Sequence, residues 1–167
     1  MLQAILIIAG SYALGCIVGA YYIVRLRTGA DVRTTGSGNA GARNVMRSGD
    51  RTSAVATFVW DLAKGSLAVW AAHVLAPQEW AAGLALLFVI VGHIWPAQLG
   101  FWGGKGVATL IGGMFVMLPL FVAGEVWPNI IFATIACALV VIAHQPAFER
   151  HRQMLGAVRT PTQENGT

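Results

Sequence analysis

Three short segments of this 167-residue chain hold the side chains that could do chemistry. The first is GSGNAGARNVMR, Gly36 to Arg47, whose first half has the spacing GxGxxG. Glycines at Gly36, Gly38 and Gly41 reach positive φ at little cost, so successive backbone N–H groups can turn inward as an anion-binding nest. Ser37, Asn39 and Asn44 add neutral hydrogen-bonding groups, and Arg47 adds a charged fork suited to phosphate oxygens. The second is GHIWPAQLGFWGGKGVAT, Gly92 to Thr109, in which Gly103, Gly104 and Gly106 surround Lys105 just before an apolar run. A helix starting there would present its N-terminus to an anion. His93, twelve residues before Lys105, suits either a general base toward a hydroxyl or an interfacial histidine bonded to backbone. The third is DLAKG, Asp61 to Gly65. Opposite charges at i and i+3 can meet on a helix, as a structural ion pair or as functional groups.

Two nucleotide readings fail on context. A dinucleotide fingerprint needs a strand before it, a helix after it and an acid about 20 residues on; here the loop lies between long apolar runs. A Walker A loop needs GxxxxGK[ST], whereas Leu99 stands at its first glycine and Gly106 follows the lysine. What remains is two glycine-rich, basic loops with a preference for phosphate.

The elements that must position these loops are apolar. The chain is 56% hydrophobic and only 11% charged, against about a quarter charged in soluble domains. Crossing hydrocarbon takes about 20 apolar residues, and the candidate runs are Gln3 to Val24, Ser53 to Leu75, Trp80 to Ala97, Val107 to Ala123 and Pro128 to His144. The expected fold is therefore all-α, a polytopic integral membrane bundle of about five transmembrane helices, with more if the loops enter as half-helices. Residues 1–150 form one transmembrane domain and 151–167 a polar tail with too little apolar content to pack. The first run lacks a basic n-region and is long for a signal h-region, so it is expected to stay as a helix. Within it Gly15 and Gly19 form a GxxxG, a helix-packing face. Cys16 and Cys137 fall in apolar runs and give no support for a disulfide.

Basic residues are retained on the cytoplasmic side. All 11 Lys and Arg fall on one side of a five-span arrangement, which places the N-terminus outside and the C-terminus inside. The net charge of +4, segregated in this way, suits anionic lipid or anionic cytoplasmic substrates. No basic helix or aromatic-laced strand pattern points to nucleic acid.

With the three segments in this order, the chain resembles the bacterial acyl-phosphate:glycerol-3-phosphate acyltransferases, the PlsY family. Their loops carry GSGNxGAxN followed by Arg, then DxxKG, then GHxxPxxLxFxGGKGVAT. The matching residues here are Gly36, Ser37, Gly38, Asn39, Gly41, Ala42, Asn44 and Arg47, and then Gly92, His93, Pro96, Leu99, Phe101, Gly103, Gly104, Lys105, Gly106, Val107, Ala108 and Thr109. The resemblance is strong over roughly the first 110 residues. Of the family's third motif, His144 and Arg150 can be laid in place, but Ala147 stands at its Asn and no Glu follows where one is expected. The connection between the last two runs is also shorter than the family's.

The resemblance implies a multi-pass protein of the bacterial cell membrane, its active-site loops facing the cytoplasm. It implies transfer of a fatty acyl group from acyl phosphate to the 1-hydroxyl of glycerol 3-phosphate, giving lysophosphatidic acid and phosphate in phospholipid synthesis. No metal or other cofactor is called for, since an acyl phosphate already has a stable leaving group and needs positioning and charge stabilisation. On this reading Ser37, His93 and Lys105 are catalytic, and Gly36, Gly38, Asn39, Gly41, Asn44, Arg47, Gly103, Gly104 and Gly106 bind substrate phosphate. His144 and Arg150 are the candidates for the acceptor. Two rivals belong to other classes. A divergent relative would bind acyl phosphate or anionic lipid with another acceptor or with no transfer. A small transporter would call for inverted repeats and broken helices in matching positions, and the sequence has no such pattern.

Overall fold

The computed structural model describes residues 1–122, 124 and 127–145, which are helical with no strand among them. Ala147, Arg150 and the tail lie outside the described residues. In chain order the helices are α1 (Leu2–Cys16), α2 (Gly19–Thr28), α3 (Ala42–Arg47), α4 (Arg51–Leu75), α5 (Ala81–Ile94), α6 (Val107–Val122) and α7 (Trp127–Ala143), with single 3-10 turns at Val32–Thr34 and Ala97–Leu99. The last four expected apolar runs are α4 to α7 to within a few residues.

The first run differs. It is interrupted at Ile17 and Val18, giving α1 and α2 where one helix was expected. Such a break frees carbonyls that hydrocarbon cannot solvate, and distant side chains meet them. Lys64 Nζ donates to the carbonyls of Gly15 and Ile17, both at 3.1 Å. Trp60 Nε1 donates to Ile17 O at 2.8 Å, and Gln98 Nε2 to Cys16 O at 2.5 Å. The break is therefore a fixed corner, with the carbonyls of Gly15, Cys16 and Ile17 all occupied.

Small residues let the helices approach. A Cβ on Gly15 would overlap Val89 O of α5, and one on Gly92 would overlap Tyr12 O of α1, so these two helices touch backbone to backbone. Gly65 of α4 and Gly112 of α6 make the equivalent contact against Thr109 O and Leu62 O. Helix α5 is central: Leu86, Val89, Ile90 and Ile94 are fully buried, against Val69, Met117, Ala136 and Val140 of the surrounding helices. A smaller core of Val18, Val32, Ala40, Val45, Ala54 and Leu99 lies under the loops at one end.

Outward-facing positions are apolar as well. Leu6, Leu67, Trp70, Ile111, Phe115, Leu118, Ile131, Ile135 and Val141 are all exposed, a surface that suits hydrocarbon rather than water. The stretches Leu2–Thr28 and Ala81–Leu99 are long and apolar enough to cross a membrane, while Val107–Val122 and Trp127–Ala143 are shorter apolar helices.

Candidate active site

Both glycine-rich loops lie at the end of the bundle reached by α2, α3 and the C-terminal end of α5, and their contacts hold them together. Helix α2 stops at Gly29, which takes φ of 74°. Asp31 then caps the next turn by accepting from Arg33 N at 2.9 Å. Arg33 is the tie between the loops. Its guanidinium pairs with Asp31 at 2.7 Å, and its Nη1 donates to Leu99 O at 2.7 Å and Trp102 O at 3.2 Å in the second loop. The same group lies 5.1 Å from the Tyr21 ring centre and 5.6 Å from that of Trp102, within cation–π range. Burial alone would raise the Asp31 pKa, but the hydrogen bonds and charge of Arg33 outweigh it and hold the carboxyl below its ordinary value.

Asn44 shapes the first loop from inside. Its Oδ1 accepts from Ser37 N at 2.8 Å and from Ser37 Oγ at 3.2 Å, and its Nδ2 donates to Val32 O and Thr35 O, both at 3.0 Å. Gly36 lies against this amide at φ of 57°, where a Cβ would overlap Asn44 Oδ1. Asn44 is buried and both of its amide hydrogens are committed. In this arrangement it braces the turn on which Ser37 is displayed.

The nest is also more self-contained than its sequence suggests. Ser37 N is taken by Asn44, Gly38 N by Thr35 O, Gly41 N by Asn39 O, and Ala40 N reaches Gly103 O at 3.5 Å. Arg47, the last residue of α3, is exposed, as is Ser37, and Lys105 is half-buried. The carboxamide of Asn39 packs against Gly41, and its Oδ1 is buried with no partner among the described residues.

The second loop folds back over the end of α5. Gly103 N donates to Ile94 O at 3.2 Å, and Gly104 N donates to His93 O at 3.0 Å. A Cβ on Gly103 would overlap His93 O, and one on Gly104 would overlap His93 Nε2 while lying 2.9 Å from Ala40 O. These glycines are required by close approach: His93, Gly104 and the Ala40 carbonyl of the first loop meet where no side chain fits. Gly106, at φ of 82°, faces Ile90, Ile94 and Val140 of α7. His144 follows Val140 by one turn and its ring Nδ1 lies 2.7 Å from Val140 O, so it shares the face of α7 that adjoins this loop.

Behind His93 is a polar cluster inside the helices. Lys64 Nζ is 2.8 Å from His93 Nδ1 and 3.0 Å from Asp61 Oδ1, and all three side chains are almost wholly buried. Asp61 Oδ1 also accepts from Gly19 N at 3.4 Å. The DLAKG segment thus joins α4, the corner between α1 and α2, and the histidine of the second loop.

The family model described as glycerol-3-phosphate acyltransferase matches residues 5–144. The chain belongs to this family. It is 44% identical over 120 residues to the glycerol-3-phosphate acyltransferase of Bordetella avium (strain 197N), covering 71% of this chain and 57% of that one. To the enzyme of the same name from Clostridioides difficile (strain 630) it is 43% identical over 121 residues, covering 70% and 59%. The chain therefore spans between half and three-fifths of the length of the curated relatives it matches. In three dimensions it is similar to the crystal structure of PlsY (YgiH), an integral membrane glycerol 3-phosphate acyltransferase in its glycerol 3-phosphate form. The TM-score is 0.73 at 27% identity, over 94% of this chain and 99% of the other. A second crystal structure of PlsY, in a lysophosphatidic acid form, matches with a TM-score of 0.69 at 25% identity, over 90% and 92% of the two chains.

Two roles in this site are not legible in the sequence. Arg33 reads as one of several loop arginines, and nothing in its spacing marks it as the link to Leu99 and Trp102. The partnership of Lys64 with His93 joins residues 29 positions apart on different helices; only the depth of the lysine in an apolar run hinted that it had a purpose.

Proposed function

We propose that this acyltransferase transfers a fatty acyl group from acyl phosphate to the 1-hydroxyl of glycerol 3-phosphate, releasing lysophosphatidic acid and phosphate. The reading is supported by family membership, by relatives named for this activity, and by PlsY structures in glycerol 3-phosphate and lysophosphatidic acid forms. The observation that carries it in this chain is the joining of the two phosphate-seeking loops at Ala40, His93, Gly103 and Gly104.

In the reaction the acceptor hydroxyl oxygen attacks the acyl carbon, the bond from that carbon to the phosphate oxygen breaks, and the hydroxyl proton leaves. Ser37, displayed by Asn44, and Asn39, whose amide N–H₂ can donate, line the acyl phosphate. Lys105 and Arg47 neutralise charge on the phosphate as it departs. His93 contacts the acceptor hydroxyl or the phosphate, and the departing phosphate is itself able to take up the proton. His144, at the end of α7, and Arg150 meet the acceptor's phosphate. The chain crosses the membrane five times with the N-terminus outside, so both loops open toward the cytoplasm, where glycerol 3-phosphate arrives.

Purified protein in detergent or lipid, given long-chain acyl phosphate and glycerol 3-phosphate, is expected to release phosphate and form lysophosphatidic acid in equal amounts. Phosphate release without the lipid product would refute the acceptor assignment and favour another acceptor or hydrolysis. A Lys105→Met enzyme of normal turnover would refute the phosphate role of the lysine.

A further inference from the structure

Lys64 Nζ has four polar neighbours within hydrogen-bond distance: Gly15 O, Ile17 O, Asp61 Oδ1 and His93 Nδ1, at 3.1, 3.1, 3.0 and 2.8 Å. The two carbonyls and the carboxylate have only lone pairs to offer, so the amine must point hydrogens at them. An ammonium has three, one of them shared between two of the four neighbours, and it has no lone pair with which to accept from the ring. The shortest of the four contacts is that to His93 Nδ1. Asp61 Oδ1 lies 3.6 Å from the same ring nitrogen, too far to draw a proton onto it. A hydrogen on Nδ1 would have to point into the ammonium. Which nitrogen of a neutral histidine carries the proton is set by the bond the other one makes.

We propose that Lys64, held by Asp61 and by the carbonyls of the helix break, is a positioning residue that keeps His93 in the Nε2–H form, so that the ring presents a hydrogen-bond donor beside Gly104. The Nε2 edge lies where the second loop passes the Ala40 carbonyl of the first. This rests on the acyl transfer proposed above and deepens it. His93 binds and orients an oxygen of the acceptor or of the phosphate and does not remove the hydroxyl proton. The break between α1 and α2 acquires a role in the site, since the carbonyls it frees anchor the ammonium that sets the ring.

The ring nitrogens of 15N-histidine-labelled protein report the tautomer directly. The chain has four histidines, and the His93 resonances are those missing from His93→Gln. The expected result in the unaltered protein is a protonated Nε2 and an unprotonated Nδ1. A protonated Nδ1 there would overturn the proposal, whether or not acyl transfer occurs, so the two failures are distinguishable. In the double variant Asp61→Asn/Lys64→Met, which leaves no buried charge unpaired, Nδ1–H is expected to become populated. An unchanged tautomer would remove Lys64 from the role. The kinetic arm uses a glutamine, whose amide can place a donor near the position of Nε2. His93→Gln is expected to stay within about tenfold of the unaltered turnover and His93→Phe to fall by about 10²-fold or more. If both fall equally, by the roughly 10²–10⁴-fold of a lost general base, His93 is a base and the proposal fails.

Discussion

Gly104 is one of the tightest points of the site, and replacing it with alanine tests the packing directly. The added Cβ would overlap His93 Nε2 and lie 2.9 Å from both His93 Cε1 and Ala40 O. The ring cannot swing aside freely, because Lys64 holds its Nδ1 at 2.8 Å. If the ring yields, it gives up a bond to a charged group, a loss of about 1.5–3 kcal/mol. If the loop yields, the bonds from Gly104 N to His93 O and from Ala40 N to Gly103 O go instead, at about 1 kcal/mol each. Either route comes to about 2–3 kcal/mol, or roughly 30- to 150-fold at about 1.4 kcal/mol per tenfold. Gly104→Ala should therefore lower kcat/KM for acyl transfer by that factor, and lower the thermal midpoint in detergent by about 4–12 °C, at roughly 2–4 °C per kcal/mol. The control is Gly10→Ala in α1, where no atom lies within 4 Å of the new Cβ. It should be neutral or gain about 0.4–1 kcal/mol. A Gly104→Ala protein as active and as stable as Gly10→Ala would refute the account of how the loops meet.

Other outcomes follow from the ties around the loops. Arg33→Lys keeps the charge but loses the fork that reaches Asp31, Leu99 O and Trp102 O together, so protease sensitivity of both loops should rise and transfer should fall by about tenfold or more. Asn44→Asp can still accept from Ser37 but cannot donate to Val32 O and Thr35 O, and a drop of about 1–3 kcal/mol in unfolding free energy is expected by denaturant titration. The Asp31 carboxyl is held below its ordinary value, so its contribution is fully present above the unfolded pKa of about 3.9 and is lost as pH falls through the lower folded value. Loop protection against an acid-active protease should persist at pH 5 and fade only well below 4, and Asp31→Asn should abolish that dependence.

Much of this molecule is legible in order of sequence. Apolar runs mark α4 to α7 because hydrocarbon demands a continuous stretch, and hydropathy is a local property. The two loops stand out because glycines, amides and cations at fixed spacing are rare between such runs. Asn44 shows the limit of that reading. An amide among glycines reads equally well as a ligand group or as a brace, and the choice depends on whether Val32 and Thr35 turn their carbonyls inward. The helix break is hidden for a related reason: neither Ile17 nor Val18 is a helix breaker, and a continuous apolar run gives no cause to interrupt it.

The sequence by itself determined the solvent of this chain, the extent of most helices, the family, and the glycine-rich, basic character of its loops. These follow from composition and from contiguous residues. Tertiary structure alone decided which groups those residues serve. Lys64 and Trp60 of α4 and Gln98 beyond α5 satisfy the carbonyls freed at the α1 corner. Arg33 joins two loops more than sixty residues apart, and the ammonium facing His93 Nδ1 sets which edge of the ring can donate. A hydrogen bond depends on where two atoms finish in space, and for buried polar groups in an apolar bundle that is settled only when helices from across the chain have packed.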